Sequence, residues 1–361
     1  MKEATGRRGF LRKAMVGAMG ASLAPGQGSA EAEKASKARA HVSAAKGGNA
    51  QEKVKPVKLA MLGPTALGLY HTSLFVQLIN GADRAAWEAA GFGYTWGEPF
   101  SDARVVAVWA PERAQSEVLA RLCNVPTILD RPEDAIGLVD GVIVCNSGEP
   151  RIHAQWAKPF VAKRIPTLVD KPLAGTLAEV EEIIALAKAN DSPLMSASGF
   201  RYSAVLAEHR RKMPLLGKIW SATVMGPVGQ LAFYGVHALE PAHSVMGPGA
   251  EWVQNIGELD RHVVRVAYPD GRSIVLQCFK PVPWSIHLTL FGEGGYLDLE
   301  LGTDEEVKQQ YFHRKLLYHF VEMVKTGKPP IPLDTTLEIM RILYLGEKSL
   351  AEGGKRIPLR G

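Results

Sequence analysis

Short apolar segments alternate with amphipathic segments over residues 57–189. The apolar runs are 57–62, 104–109, 127–129, 141–145 and 167–169. The clearest helical periodicity lies in 177–189, where one face carries Val180, Ile183, Ile184 and Ala187. Strands that alternate with helices predict a doubly wound parallel sheet of the Rossmann type.

The pattern of apolar and polar residues changes after about residue 218. Runs that alternate or are β-branched follow one another at 219–224, 263–267, 273–278, 286–290 and 296–300. Pro269-Asp270-Gly271 is typical of a hairpin turn, and 315–325 and 337–350 are predicted helices. We therefore predict an α/β protein with a Rossmann-like domain at 57–175 and an α+β domain at 176–361. The second domain has a mostly antiparallel sheet for substrate binding or oligomerisation, and its last helices are free to pack back on the first domain.

The first thirty residues have the order of an export signal. Arg7 and Arg8 precede Phe-Leu, a modest apolar run and small residues ending at Ala30. This order resembles a twin-arginine signal peptide, so we expect a periplasmic or secreted protein. Residues 31–56 are rich in Ala, Lys, Glu, Gly and Ser, and they predict a disordered linker.

The positive net charge is concentrated in this leader. Five basic residues and one acidic residue in 1–30 contribute +4 of the chain's +5. The remaining chain is nearly neutral, which argues against nucleic acid as a partner. After the leader, the sequence has no apolar run of the length that spans a bilayer, so no membrane anchor is expected after export.

The three cysteines are too few and too scattered for a disulfide framework or a cysteine zinc site. A pair between any two is open from the sequence. The strand-like surroundings of Cys145 and Cys278 favour buried free thiols.

A glycine-containing turn follows the first predicted strand. A dinucleotide fingerprint uses three glycines: for a tight turn, for close approach of the pyrophosphate and for helix packing. Gly63 and Gly68 occupy the first and third positions, but Thr65 occupies the second, and Pro64 removes a backbone donor. This turn is compatible with NAD or NADP and also with weak or absent cofactor binding.

The second predicted strand lacks the expected acidic residue at its end. An acid there would bind the ribose hydroxyls of a dinucleotide. Ala110 stands at this position, and Glu112 lies two residues beyond it as a potential substitute.

Two further motifs carry candidate chemistry. Asp170-Lys171-Pro172 follows a predicted strand, where a lysine would face the ligand crevice of a parallel sheet and orient a hydroxyl or polarise a carbonyl. Tyr234 precedes a predicted helix that starts near Val236, and His237 and Glu240 lie on neighbouring turns of that helix. Histidine is suited to take a proton from a hydroxyl.

Together these motifs resemble the Gfo/Idh/MocA family, which includes glucose–fructose oxidoreductase and inositol dehydrogenase. The resemblance runs from about residue 57 to 359 and is most specific at 170–172 and in the ending 331–338. It implies NAD(P)-dependent hydride transfer at a sugar or cyclitol hydroxyl, or an oxidation-assisted glycosidase. It also implies a carbohydrate-like ligand and a homo-oligomer.

The resemblance assigns candidate roles to individual residues. The catalytic or orienting set is Lys171, Tyr234, His237 and Glu240. The cofactor-binding set is Gly63, Thr65, Gly68, Glu112, Asn146 and Lys171. The chain departs from the family pattern at Thr65, at Ala110, in the loop after the fourth strand and at Phe233, where aspartate is usual. Without that aspartate, Glu240 is the expected partner for charged His237.

Two other functions are compatible with the same residues. The first is a cofactor-free pseudo-oxidoreductase that binds or processes a carbohydrate-like ligand in the crevice. The second is a metal-dependent carbohydrate-active enzyme using His237, Glu240 and His243, residue types that suit zinc or manganese. Pro241 within the helical spacing disfavours the metal site, and we predict none.

Overall fold

The structure is a computed structural model that describes residues 55–63, 70–92, 97–146, 148–282 and 284–360. The predicted signal at 1–30, nearly all of the predicted linker at 31–56, and Thr65 and Gly68 lie outside these residues. Within the described residues, no helix is long and apolar enough to cross a membrane.

The first sheet is parallel throughout and has the order β3-β2-β1-β4-β5-β6. Its strands are β1 (Val57–Leu62), β2 (Ala103–Trp109), β3 (Thr127–Ile128), β4 (Gly141–Val144), β5 (Thr167–Val169) and β6 (Leu194–Met195). The helices that connect them are α1 (Tyr70–Asn80), α2 (Arg84–Ala89), α3 (Arg113–Leu122), α4 (Arg151–Ala162) and α5 (Leu177–Ala189). A 3-10 turn, Pro132–Ala135, precedes β4. The strand order reverses between β1 and β4, which is where ligands bind in such sheets.

The second sheet is mixed and mostly antiparallel, with the order β12-β11-β7-β10-β9-β8-β13. Its strands are β7 (Ile219–Pro227), β8 (Trp252–Asn255), β9 (Arg261–Ala267), β10 (Ser273–Phe279), β11 (Ile286–Gly292), β12 (Gly295–Leu301) and β13 (Ile357–Pro358). Only β7 and β10 pair in parallel within this sheet as described. The predicted α/β fold class, with a Rossmann-like domain followed by an α+β domain, is confirmed.

Helices and short turns complete the second domain. They are α6 (Ala204–His209), α7 (Leu231–Met246), α8 (Asp304–Gln309), α9 (Tyr311–Thr326), α10 (Leu333–Ala351) and the 3-10 turns Gly199–Tyr202 and Met213–Leu216. Helices α7 and α10 pack on each other and on one face of the second sheet. Burial alternates along β10, as expected for a strand with one covered face.

The predicted hairpin turn at 269–271 joins β9 to β10. Gly271 has φ +86° and donates its N–H to the Tyr268 carbonyl oxygen at 3.1 Å. A glycine at this position avoids the strain that a side chain meets in the left-handed region.

The parallel sheet continues beyond the boundary predicted at residue 175. Strand β6 (Leu194–Met195) pairs with β5, so α5 and β6 belong to the first sheet's architecture. A strand of two residues is too short to produce a periodic pattern, so the sequence did not reveal it.

The C-terminal part of the chain returns to the first domain. Leu316, Leu317 and Phe320 of α9 are buried in the same core cluster as Leu59 and Met61 of β1. A second core cluster contains both Val142 of β4 and Val224 of β7, so apolar packing joins the two sheets. The described residues from 55 onward fall into one compact unit.

Candidate functional site

The site lies at the carboxyl edge of the first sheet, where β1, β4 and β5 end side by side. Gly63 follows β1, and a Cβ atom added there would lie 1.7 Å from the Cys145 carbonyl oxygen. The ends of β1 and β4 are therefore so close that only glycine fits at position 63. The role of Gly63 as the first glycine of a dinucleotide-binding turn stays a prediction.

A buried histidine that the sequence reasoning missed connects two loops of this edge. His153 of α4 accepts the Asn146 N–H at Nε2 (3.0 Å), and its Nδ1 donates to the Pro172 carbonyl oxygen at 2.8 Å. Burial lowers the pKa of His153, which favours the neutral ring that this pattern needs. His153 thus holds the loop after β4 against the segment after β5.

Asn146 itself is buried, with its side chain engaged in the local turn. Its Oδ1 atom accepts the Gly148 N–H at 3.2 Å. This hydrogen bond orients the amide along the loop beside the β1–β4 reversal, and the role of Asn146 in cofactor binding stays a prediction.

Asp170 forms a buried cluster with His71 and Cys145. Its Oδ2 atom lies 2.8 Å from His71 Nδ1 and accepts from Cys145 Sγ at 3.5 Å. Burial alone would raise the pKa of Asp170, but the charge and hydrogen bond of His71, with the charge of Lys171, outweigh it and lower the pKa. Asp170 is therefore an ionised carboxylate that lies beside Lys171.

The same three residues are the one group among the described residues whose side chains could jointly hold a metal ion. Burial raises the pKa of Cys145 well above its ordinary value, and the charge of Asp170 adds to this effect. The protonated thiol donates a hydrogen bond to Asp170 Oδ2. We interpret the cluster as a network that orients Asp170.

Lys171 is almost fully buried beneath two aromatic rings of α7. Its Nζ atom lies 4.3 Å from the ring centroid of Phe233 and 5.0 Å from that of Tyr234. Burial lowers the pKa of Lys171, although the charge of Asp170 acts in the opposite direction. Phe233 therefore contacts the lysine directly.

His237 is held by a serine that the sequence reasoning missed. Ser198 Oγ lies 2.8 Å from His237 Nδ1 and also accepts the Phe200 N–H at 3.2 Å. Burial, followed by the charge of Lys171, lowers the pKa of His237 well below its ordinary value of 6.5. The imidazole is consequently neutral and keeps one ring nitrogen for another partner.

Tyr234 lies close to both Lys171 and His237, the two principal catalytic candidates. Its ring lies over Lys171, and its centroid is 6.1 Å from the centroid of His237. Helix α7 begins at Leu231, five positions before the predicted start at Val236, which places Phe233 and Tyr234 on the helix that carries His237. The earlier start was hidden because Gly235 interrupts the pattern with a residue that usually weakens helices.

Glu240 has a different partner from the one expected. It lies one turn after His237, as predicted, but its Oε2 atom accepts from Arg201 Nη1 at 2.8 Å. Burial raises the pKa of Glu240, opposed by the charge of Arg201. The expectation that Glu240 pairs with charged His237 is wrong, because Arg201 provides the stronger charge-assisted hydrogen bond.

The proposed metal set of His237, Glu240 and His243 does not converge. The first two bind Ser198 and Arg201, respectively, and His243 Nε2 lies 3.0 Å from Glu338 Oε1. Three side chains engaged with three separate partners leave no common point for an ion.

Glu338 forms a structural clamp at the end of α7. Besides His243, its carboxylate accepts the N–H groups of Gly249 at 2.9 Å and Ala250 at 3.3 Å. We expect Glu338→Ala to lower the free energy of unfolding by about 2–4 kcal/mol, because three donors, two of them buried, lose their acceptor. Urea denaturation measures this change.

Asp334→Ala, at an exposed residue of the same helix, is the control and should change stability by less than about 1 kcal/mol. Equal effects of both substitutions would contradict the assignment.

The end of β2 lacks the acidic residue that is usual there in dinucleotide-binding sheets. Ala110 is buried directly after β2, so no carboxylate stands at that point. Glu112 is exposed at the start of α3, where it accepts a hydrogen bond from Gln115. Glu112 is therefore the nearest acid after β2, on the solvent side of this edge.

Residues 79–198 match the family model of Gfo/Idh/MocA, described as an oxidoreductase family with an NAD-binding Rossmann fold. This match runs from the end of α1 to Ser198 and includes the motif at 170–172. No curated protein sequence matches the chain significantly.

Solved structures show the same fold over nearly their whole length. Myo-inositol 2-dehydrogenase from Lactobacillus plantarum is 15% identical, with a TM-score of 0.68, covering 84% of this chain and 99% of that chain. Myo-inositol dehydrogenase from Lactobacillus casei, in complex with NAD(H) and myo-inositol, is 13% identical with a TM-score of 0.68 and coverage of 84% and 96%. An oxidoreductase from Agrobacterium radiobacter, in complex with NAD⁺, L-tartaric acid and magnesium, is 14% identical, with a TM-score of 0.65 and coverage of 84% and 99%.

Proposed function

We propose that this chain is an NAD(P)-dependent oxidoreductase of the Gfo/Idh/MocA family that acts on a hydroxyl group of a sugar or cyclitol. The observation that carries the proposal is the meeting of Lys171 and His237 around Tyr234 at the carboxyl edge of the first sheet. A buried lysine and a neutral histidine form an acid–base pair suited to a hydroxyl substrate.

The described residues fit a dinucleotide at the nicotinamide end of this edge. Gly63 permits the close approach of β1 and β4, and Lys171 and Asn146 lie at the ends of the neighbouring strands. At the ribose, Glu112 would supply the carboxylate that Ala110 cannot supply. A bound nicotinamide would supply the hydride acceptor or donor for the reaction.

His237 would act as the base that removes the hydroxyl proton. When its Nδ1–H donates to Ser198 Oγ, the lone pair of Nε2 is available for this proton. Lys171 would donate a hydrogen bond to the same substrate oxygen and orient it. As the proton moves to His237, the positive charge of Lys171 would stabilise the developing negative charge on that oxygen.

Aromatic rings near His237 support a carbohydrate-like ligand. The ring centroids of Phe200 and Trp284 lie 5.5 and 5.8 Å from that of His237, and Trp284 is 48% exposed. Such rings offer apolar faces to the C–H groups of a sugar or cyclitol and leave the hydroxyls to polar partners.

The direct experiment is to release and identify any nucleotide from the undenatured protein, then to assay a panel of cyclitols and hexoses. We expect near-stoichiometric NAD or NADP, or a thermal shift with one of them, and a change in nicotinamide absorbance with one substrate. Absence of all three would contradict the proposal. Retained binding of a sugar in that case would favour the cofactor-free alternative.

Ser198 is proposed as a positioning residue for His237. Ser198→Ala is expected to lower kcat by about tenfold, because the imidazole loses the partner that sets its tautomer. Ser198→Thr retains the hydroxyl and should restore most of the activity. Steady-state kinetics of the two variants provide the test, and equal losses in both would indicate a packing role instead.

The pH dependence of kcat/KM should be broad. His237 must be neutral to act as a base, and its lowered pKa places the acid limb below pH 6.5. Lys171 must be charged, and its lowered pKa places the alkaline limb below pH 10.5. The profile should therefore show a plateau between an acid limb below pH 6.5 and an alkaline limb below pH 10.5. An acid limb centred above pH 6.5 would exclude His237 in this environment as the base.

We also propose export through the twin-arginine route, on the evidence of Arg7, Arg8 and the apolar run that follows them. Cell fractionation should find the wild type outside the cytoplasm. The Arg7→Lys/Arg8→Lys double variant should be retained inside the cell, and equal export of both proteins would contradict this proposal.

A homo-oligomer remains our proposal for the assembly. Phe291 and Tyr296 pair across β11 and β12 and are 43% and 69% exposed, and Trp220 of β7 is 42% exposed. Exposed aromatic residues on a sheet favour burial against another copy. Light scattering coupled to size exclusion should give a mass above 39.1 kDa, and a monomer would contradict the proposal.

A further inference from the structure

A concave pocket of about 280 Å³ lies between α6, α9 and the 3-10 turn Gly199–Tyr202. Four basic residues face it, and aromatic rings form part of its wall. The basic residues are Arg201, Arg210, Lys315 and His319, and the aromatic ones are Tyr202 and Tyr311. Of the described residues that line it, none is acidic.

The positive charges of this basic pocket are poorly compensated. Arg201 uses Nη1 for Glu240, which leaves most of its five N–H groups without a hydrogen bond among the described residues. Arg210 donates to the neutral hydroxyl of Ser244 at 3.0 Å. Lys315 lies 5.6 Å from two tyrosine ring centroids. Within the described chain, neither Arg210 nor Lys315 has a carboxylate within salt-bridge distance.

The neighbouring charges repel one another. Partial burial and the charge of Arg201 lower the pKa of Arg210, and partial burial and the charge of Lys315 lower the pKa of His319. Glu322 opposes the second effect, but its carboxylate lies 2.8 Å from Lys325. An anion in the pocket would relieve this repulsion.

We propose that the basic pocket binds a tetrahedral oxyanion of the phosphate type, either as the inorganic ion or as the phosphate group of an ester. A planar guanidinium matches two oxygens of such an anion, and an ammonium group adds a charge of flexible position. Arg201 is the anchor because its side chain is only 16% exposed and is already oriented by Glu240. Arg210 and Lys315 would close on the remaining oxygens from α6 and α9.

The basic pocket is connected to His237 through two short links. Glu240, the partner of Arg201, lies three residues after His237 on α7, and Ser198 immediately precedes the turn that carries Arg201. An anion that contacts Arg201 therefore acts on the segment that positions His237. Anion binding itself does not depend on the hydride-transfer proposal.

Isothermal titration of the full chain with inorganic phosphate and, separately, with a hexose 6-phosphate tests this site. Arg210→Gln and Lys315→Gln are the test variants, because both side chains are exposed enough to be replaced without unfolding the protein. Each should raise Kd by about tenfold, the loss expected for one charge-assisted hydrogen bond. Arg211→Gln, at an exposed basic residue next to Arg210 and outside the pocket lining, is the matched control and should leave Kd unchanged.

The outcomes separate the sources of the anion. Tighter binding of phosphate than of the ester assigns the basic pocket to the inorganic ion, and the reverse assigns it to a phosphorylated ligand. Absence of binding for both probes overturns the proposal. So does an unchanged Kd in both test variants, or an equal loss in the Arg211→Gln control.

Discussion

Replacing Lys171 with methionine is expected to lower kcat by about 10²–10⁴-fold while the protein remains folded. Methionine keeps the length and flexibility of the side chain, and an apolar group suits a site beneath Phe233 and Tyr234. The substitution removes the one charge that faces the substrate oxygen in our proposal. Because a buried charge is lost, the free energy of unfolding should stay equal or rise, although Asp170 loses one of its charged neighbours.

Steady-state kinetics and urea denaturation together test this expectation. Lys163→Met, at an exposed lysine after α4, is the matched control and should change neither quantity measurably. A Lys171→Met protein with nearly normal kcat would remove the lysine from the reaction. A protein that fails to fold would instead be followed by Lys171→Arg, which keeps the charge and tests geometry.

His237→Asn is also expected to lower kcat by about 10²–10⁴-fold. Asparagine can still form a hydrogen bond with Ser198, so the local fold is retained, but it cannot accept the substrate proton as a base. The acid limb of the pH profile should disappear along with the rate, because that limb belongs to the titration of His237.

His243→Asn provides the comparison for this prediction. His243 lies six residues later on the same helix and binds Glu338, so its replacement should reduce stability and leave kcat nearly unchanged. The pair of variants therefore separates a catalytic histidine from a structural one. Similar kcat values for the two variants would contradict our assignment of His237.

The residues around Gly63 show which features of the site a local sequence motif predicts. Gly63 is predicted from its place after an apolar strand, and a Cβ atom at this position would approach the Cys145 carbonyl oxygen to 1.7 Å, which explains why a glycine stands there. Thr65 and Gly68 remain predictions, since they lie outside the described residues. The contact of Phe233 with Lys171 was not foreseen, because the two residues are 62 positions apart in the chain.

All three cysteines are free and buried, which confirms the interpretation of Cys145 and Cys278 as free thiols. Cys145, however, also takes part in the cluster with Asp170 and His71. A residue's burial follows from the apolar strand around it, whereas its polar partner comes from a neighbouring strand. Local sequence therefore predicts the first of these properties and not the second.

The hydrogen-bond partners of His237 and Glu240 were likewise not predicted from the local sequence. Ser198 and Arg201 lie near the end of the first domain, and they bind His237 and Glu240, both 39 positions away. Neither residue belongs to a motif, and a Ser or an Arg before a short turn has no distinctive pattern. Arg201 displaced His237 as the partner of Glu240 because folding brought a permanent positive charge within 2.8 Å.

The sequence by itself determined the alternation of strands and helices in the first domain, the change to a mostly antiparallel sheet in the second, and the choice of Lys171 and His237 as candidates. These depend on periodic burial and on short motifs, which are properties of neighbouring residues. The tertiary structure decided where the parallel sheet ends, which partner each buried polar group has, and how far the pKa values of Lys171 and His237 are lowered. Those properties arise from desolvation and contacts between distant segments, and they come into existence only when the chain is folded.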